Sequence, residues 1–217
     1  MRIFIRIQFA FESQLTMRKK PQQKRSQQLV DSLVEATAKS LVKRGFEGIT
    51  THHIAETAGV SVGSLYQYFD SKEALIEALL EKLGKEISNS LIHLPMEEEG
   101  DLRTNVGLIV RFGFMLLNSR DGLFLELVRN WHSIPTDDLM DQLEKTFMDL
   151  SRVYFLKHYH DSPIEDLHVR IYIIANSVMF TMVRYLGQDN TLISEQEVAE
   201  GLIEMVVGYL QSPTTLI

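Results

Sequence analysis

The chain has 217 residues, enough for one large domain or a small one joined to a larger one, and its 45% hydrophobic content is that of an ordinary globular protein. It has no cysteine, which excludes disulfides and thiolate metal sites and is compatible with a reducing compartment. A formal net charge of −7 argues against a polyanionic partner, but the sign changes along the chain. Residues 17–72 carry nine Lys/Arg against five Asp/Glu, whereas residues 73–217 carry eleven against twenty-three. A basic head on an acidic body suits a protein that turns one end toward phosphates.

The first sixteen residues, MRIFIRIQFAFESQLT, place Ile3, Ile5, Ile7, Phe9 and Phe11 at a strand period. The run is too short to span a membrane and lacks a small-residue cleavage site. It reads as an extension ahead of a chain that properly starts at Met17, with a functional arm or an exchanged strand as the alternative. Residues 1–23 are therefore expected to be a flexible extension and basic arm. Arg18, Lys19, Lys20, Lys24 and Arg25 stand where they can reach a phosphate backbone. A helix over about 26–44 follows, with Val30, Leu33, Val34, Thr37 and Leu41 inward and Gly45 ending it.

Residues 45–75, GFEGITTHHIAETAGVSVGSLYQYFDSKEAL, carry the most information. Thr50 and Thr51 offer hydroxyls that cap a helix N-terminus, and Ile54, Ala55 and Ala58 give that helix one apolar face. Gly59 stops it, because glycine adopts the left-handed C-terminal conformation without steric cost, and Val60 fills the corner. Ser61 caps a second helix expected over 62–69. A helical wheel groups Leu65, Tyr66 and Phe69 with Val62 nearby, and turns Gly63, Ser64, Gln67 and Tyr68 outward. The outward face holds small, polar and aromatic groups and no acid, which suits phosphates and base edges. Ser71 restarts the chain as a long helix to about residue 93, with Leu75, Leu79, Leu83 and Ile87 at successive turns.

This run resembles the DNA-binding domain of the tetracycline-repressor (TetR/AcrR) family of bacterial regulators. The matching elements are Gly45-Phe46, Thr50-Thr51, Ile54-Ala55, Ala58-Gly59-Val60-Ser61, Gly63-Ser64-Leu65-Tyr66, Tyr68-Phe69 and Ser71-Lys72-Glu73-Ala74-Leu75. The resemblance implies an all-α protein with a three-helix helix-turn-helix domain over 24–72. A helical ligand-binding and dimerisation domain would occupy 73–217, for about nine helices in all. It implies a cytoplasmic homodimer that binds a palindromic operator in double-stranded DNA and releases it when an apolar or amphipathic small molecule enters the body. No enzyme activity, cofactor or membrane contact is expected; the alternatives are a helical-bundle small-molecule-binding protein or enzyme without DNA binding, and a DNA-binding adaptor controlled by a protein partner. Carried over, Thr51, Ser61, Tyr66, Tyr68 and Lys72 fall on phosphate-contacting positions, with Thr50 beside them at the helix cap. His52, Gly63, Ser64 and Gln67 fall where the groove is read, Gln67 being suited to pair with adenine. Val62 and Tyr68 depart from the family's frequent lysine and histidine and point to a different operator. Core packing is the alternative for Tyr66.

The body reads as helices over about 102–118, 122–133, 136–159, 164–187 and 195–211, separated by breakers such as Pro135 and Ser162-Pro163. Soft and aromatic residues suggest a cavity lined by Phe112, Met115, Phe124, Trp131, Tyr154 and Met179, with Arg111, His132, Tyr172 and Asn176 as polar tips. A plain core is the competing reading, and Asn176 equally suits a bond to a backbone carbonyl. From Ile171 to Val183 the chain is apolar on nearly every side of a helix, which calls for burial on two faces. The last two helices are thus expected to form a dimer interface through Val178, Met182, Tyr185, Val198, Gly201, Leu202, Met205, Val206 and Tyr209. Burial within one chain is the alternative. Seven histidines show no chelating spacing, so no metal is expected, and no catalytic motif is present.

Overall fold

The computed structural model describes residues 23–97, 100–134, 136–159, 164–188 and 192–212. The extension expected over 1–22, with Arg18, Lys19 and Lys20, lies outside them. Among the described residues there are nine α-helices. They are α1 (Lys24–Gly48), α2 (Thr51–Ala58), α3 (Val62–Tyr66), α4 (Lys72–Ile92), α5 (Leu102–Leu117), α6 (Leu123–Arg129), α7 (Asp137–His158), α8 (Leu167–Leu186) and α9 (Glu195–Gln211). Short 3-10 turns at Arg120–Gly122 and Trp131–Ser133 flank α6, so the helix expected over 122–133 is broken into two pieces. Lys24 and Arg25 belong to the first turn of α1 rather than to an arm.

Helix α1 turns the expected stripe inward: Leu33 and Leu41 are fully buried, with Val30, Val34 and Thr37 beside them. Helix α4 runs from the small N-terminal bundle into the body, capped by Ser71, whose hydroxyl accepts from the Ala74 N–H at 3.2 Å. Its Leu75, Leu79 and Leu83 are at most 1% exposed, each worth roughly 1.5–3 kcal/mol of burial. The core built on α1 to α4 continues without a break into Leu123, Phe124 and Leu127 of α6. A second core joins α5, α7, α8 and α9 through Val106, Phe114, Phe155, Ile171, Leu202 and Val206.

Helix α8 shows one buried and one open face. Ile171, Ile174, Ala175 and Met182 are buried, whereas Val169, Tyr172, Ile173 and Phe180 stand out. Its twenty residues, with a mean hydropathy of 1.2 over the most apolar window, have the length and composition of a membrane span, which the thirteen-residue core read from sequence did not suggest. Such a helix occurs equally in soluble cores, and α8 packs on α5, α6, α7 and α9. Arg170 near its start is 6% exposed. Its guanidinium donates to the Tyr209 carbonyl, to Ser212 Oγ at 3.1 Å and to the Ser212 carbonyl at 2.9 Å. It thereby closes the C-terminus of α9, where helix carbonyls lack partners and favour a cation.

Candidate nucleic-acid interface and body cavities

The helix-turn-helix follows from its caps. Thr50 Oγ1 accepts from the His53 N–H at 3.2 Å and opens α2. Gly59, at φ 68°, closes it. The Val60 N–H reaches the Ala55 carbonyl at 3.0 Å and the Gly59 N–H the Glu56 carbonyl at 3.1 Å, the two bonds of a Schellman motif. Ser61 Oγ accepts from the Ser64 N–H at 3.0 Å and starts α3, and its hydroxyl also bonds that of Ser64 at 2.8 Å. Thr51 and Tyr66 share a hydrogen bond at 3.1 Å, fixing the start of α2 to the end of α3. Thr50, His52, Ser61, Gly63, Tyr66 and Gln67 are exposed, Thr51, Ser64 and Lys72 are half-buried, and Val62 packs partly on the core. Two aromatic placements are corrected. Tyr68, expected outward, is 7% exposed, and Tyr66, grouped with the core by the wheel, is 42% exposed. Tyr66, the last residue of α3, holds its hydroxyl on Thr51 at the surface, and Tyr68 lies in the turn that follows, where its N–H donates to the Leu65 carbonyl at 3.0 Å.

Lys72 stands 4.9 Å over the Phe46 ring and donates to the Phe46 carbonyl at 3.3 Å. The other side of Phe46 is also held. Gly45, at φ 71° and ψ 167°, breaks α1 in a conformation that side chains avoid. This frees the Phe46 N–H, which donates to Glu126 Oε1 of α6 at 2.7 Å. Asn130 donates to the same oxygen at 2.9 Å. Elsewhere Lys82 of α4 meets Glu35 of α1 at 2.7 Å, and that bond holds the Glu35 carboxyl below its ordinary range.

Among the described residues, two cavities lie within the body. The first, about 190 Å³, lies among α4 to α8 and is walled by Phe112, Phe124, Trp131, Phe147, Met179 and Met182. Its lining is almost wholly apolar, with Glu144 the charged residue in its wall. The second, about 280 Å³, lies among α4, α5, α7, α8 and α9 and includes Asn105, Ser151, Tyr154, Lys157 and His158. Leu91, Ile109 and Phe147 belong to both walls. Of the expected lining, Phe112, Phe124, Trp131 and Met179 face the first cavity and Tyr154 the second. Arg111, Met115, His132, Tyr172 and Asn176 line neither. Met115 and Tyr172 are 63% and 53% exposed, on faces turned away from the helix packing. Asn176 donates to the Tyr172 carbonyl at 3.0 Å and reaches Glu144 at 3.5 Å, the backbone role that sequence offered as an alternative. Tyr159, next to the second cavity's Tyr154 and His158, has its phenol pushed up by burial and by Tyr154 and Asp101. Among the described residues no group of three or more His, Asp or Glu gathers to hold a metal.

A family model described as bacterial regulatory proteins, tetR family, matches residues 33–79, from the middle of α1 to the middle of α4. Over those residues the chain is similar to the tetR family. Over 78 residues it is 33% identical to the nucleoid occlusion factor SlmA of Haemophilus ducreyi, covering 36% of this chain and 37% of that protein. Such matches to curated relatives span 34–64% of those proteins' length. Solved structures share the fold over the body as well. The fatty acid degradation regulator FadR from Bacillus halodurans superposes with a TM-score of 0.65 at 17% identity, over 90% of this chain and 100% of that one. The transcriptional regulator FadR from Bacillus subtilis, in complex with stearoyl-CoA, gives 0.63 at 16% identity, over 83% and 99%.

In this chain the expected dimer stripe is largely spent inside the molecule. Leu202, Val206 and Met182 are 4–5% exposed and belong to the chain's own core. Val178 lines the first cavity, Tyr185 packs edge-on to Phe114, Tyr209 lies under Arg170, and Val198 is half-buried. Gly201 and Met205 are exposed, as expected of an open face. Gly208 lies with them, and an added Cβ at Gly201 or Gly208 would meet nothing. The open apolar surface is therefore Val169, Tyr172, Ile173 and Phe180 of α8 with this glycine-bearing face of α9. The Gly45–Phe46–Glu126 tie was not read from sequence. Its partners are 80 residues apart, and the only local signal was the glycine that ends α1.

Proposed function

We propose that this protein is a dimeric, sequence-specific DNA-binding transcription regulator, a repressor released from its operator by a small molecule in the body. The observation that carries the reading is the exposed, acid-free surface of Ser61, Gly63, Tyr66 and Gln67 on a capped helix-turn-helix. Gln67 and His52 are assigned to base edges. Ser64 stands with them where the groove is read, and Thr50, Thr51, Ser61, Tyr66 and Lys72 are assigned to phosphates. Val62 and Gly63 allow close approach of the backbone, and Tyr68 supports the turn from within. Two copies joined through the open faces of α8 and α9 would present two recognition helices roughly 34 Å apart, one DNA turn. A cytoplasmic location follows from that role.

Release needs a path from ligand to DNA. Phe124, Leu127 and Val128 of α6 line the first cavity, and Glu126 on the same helix holds the break in α1. A ligand that shifts α6 thus acts on Phe46 and Lys72, and a coupling of about 1–3 kcal/mol suffices. The stearoyl-CoA held by the Bacillus subtilis structure supports an amphipathic ligand. The similarity to SlmA favours a second reading, a DNA-bound adaptor governed by a protein partner.

Fluorescence anisotropy on palindromic and random duplexes tests the proposal. Tight binding that weakens steeply with salt, with a stoichiometry of two chains per duplex, is expected. Equal, weak binding to every duplex at low salt would refute it.

A further inference from the structure

The two cavities differ in chemistry and share a wall. The first is apolar apart from Thr136 and Glu144, whereas the second carries a cluster of polar groups around Tyr154. Asn105 is 1% exposed and fully committed: its Oδ1 accepts from the Glu97 N–H at 2.9 Å, and its amide donates to the Glu97 carbonyl at 3.1 Å and to Tyr154 Oη at 3.3 Å. Because Tyr154 Oη receives that bond, its own proton is left to donate. His158 stacks on the same ring at 4.5 Å, and Lys157 lies in the same wall. The Glu97 carboxylate turns toward Gly100, with Oε2 2.9 Å from where a Cβ there would stand. The hydroxyl of Tyr154 and the ring of His158 thus face this end of the cavity, whose wall also holds Lys157 and Glu97. Each cavity alone is below the roughly 300–1,000 Å³ of ligand-sized pockets, whereas the two joined across Leu91, Ile109 and Phe147 fall within that range.

We infer that the two cavities form one site for an elongated aliphatic acid, its tail in the first chamber and its carboxylate in the second, where Tyr154 donates to it and His158 adjoins it. This deepens the proposal of a body ligand and rests on it. Neither a ligand confined to one chamber nor a cationic head would use the donors gathered at the other end. Flexible side chains at the shared wall, Leu91, Ile109 and Phe147, are the ones that must part for the tail to pass.

The test is direct binding of straight-chain acids to the intact protein by calorimetry, from octanoate through dodecanoate to palmitate, without DNA. Each added methylene entering the first chamber should tighten binding about fourfold, the equivalent of about 0.8 kcal/mol, and the gain should continue through the longer acids. In Ile109→Trp the long acids should lose that gain while octanoate still binds, which also reports that the variant is folded. Tyr154→Phe should weaken acids about tenfold or more, as expected for a bond to a charged acceptor, and alkylamines little. A plateau reached already at octanoate in the unaltered protein overturns the inference, as does failure of every acid to bind. Operator binding is measured separately, so a regulator that binds DNA but no acid would refute this inference and leave the DNA reading standing.

Discussion

Replacing Glu126 by alanine isolates the tie between the body and the DNA-binding helices. The carboxylate accepts from the Phe46 N–H at 2.7 Å and from Asn130 at 2.9 Å, and both donors are half-buried. Hydrogen bonds to a charged group contribute roughly 1.5–3 kcal/mol, and the Phe46 N–H has no helical partner because Gly45 has broken α1 before it. A loss of about 2 kcal/mol is therefore expected. With a urea slope of roughly 2 kcal/mol/M, the unfolding midpoint falls by about 1 M. Operator affinity should fall with it, because the break sets the path of the chain from α1 into α2 and positions the Phe46 carbonyl on Lys72. Glu126→Gln keeps an acceptor oxygen without the charge and should lie between alanine and the parent. Urea unfolding and anisotropy on the same preparations decide it. Parental midpoint and operator affinity in both variants would refute the coupling.

Gln67→Ala should relax base choice at one position of each half-site, whereas Lys72→Ala should weaken all duplexes alike and reduce the salt slope by about one. Binding to a panel of operator variants separates the two. Phe180→Asp places a charge on the open face of α8 and removes the ring set edge-on to Trp131, so sedimentation should show a monomer and the thermal midpoint should fall and lose its dependence on protein concentration. Arg170→Met removes the donors that close α9 and should destabilise by roughly 1.5–3 kcal/mol in urea unfolding. The Glu35, Asp101 and Glu197 carboxyls are held below their ordinary values of 4.5, 3.8 and 4.5, chiefly by bonds from Lys82, Thr104 and Ser194. Their depressed values in the folded state mean that their contribution is present above those ordinary values and is lost as pH falls through the lowered ones. Stability should therefore hold from pH 7 to about 5 and drop below about 4.5. Asp101→Asn with Glu197→Gln should flatten that drop in pH-resolved melts.

The helix-turn-helix was legible because its signals are local. Gly59 and Ser61 fix a Schellman turn and a cap within a few residues, and those bonds do not depend on the rest of the fold. The aromatic pair Tyr66 and Tyr68 was misplaced because a wheel gives no account of the partner each ring finds: the Tyr66 hydroxyl is held by Thr51 of α2 at the surface, and Tyr68 is buried. The stripe of Leu202 and Val206 was legible as a buried face but not as to what buries it. A strongly apolar stripe satisfies a chain's own core first, and the glycine-bearing face of Gly201 and Gly208 gave a weaker signal. The cavities were legible only as a bias toward soft residues. A cavity is the space left between helices, so Met115 and Met179, alike in type and both helical, end on opposite sides of the packing.

The most direct test of the central claim is selection of bound fragments from a random duplex pool by the purified protein. An enriched inverted repeat with half-sites about one helical turn apart is expected, with selectivity lost in Gln67→Ala at one base per half-site. A pool that emerges unenriched, or one enriched in a single unrepeated site unaffected by Gln67→Ala, would contradict it.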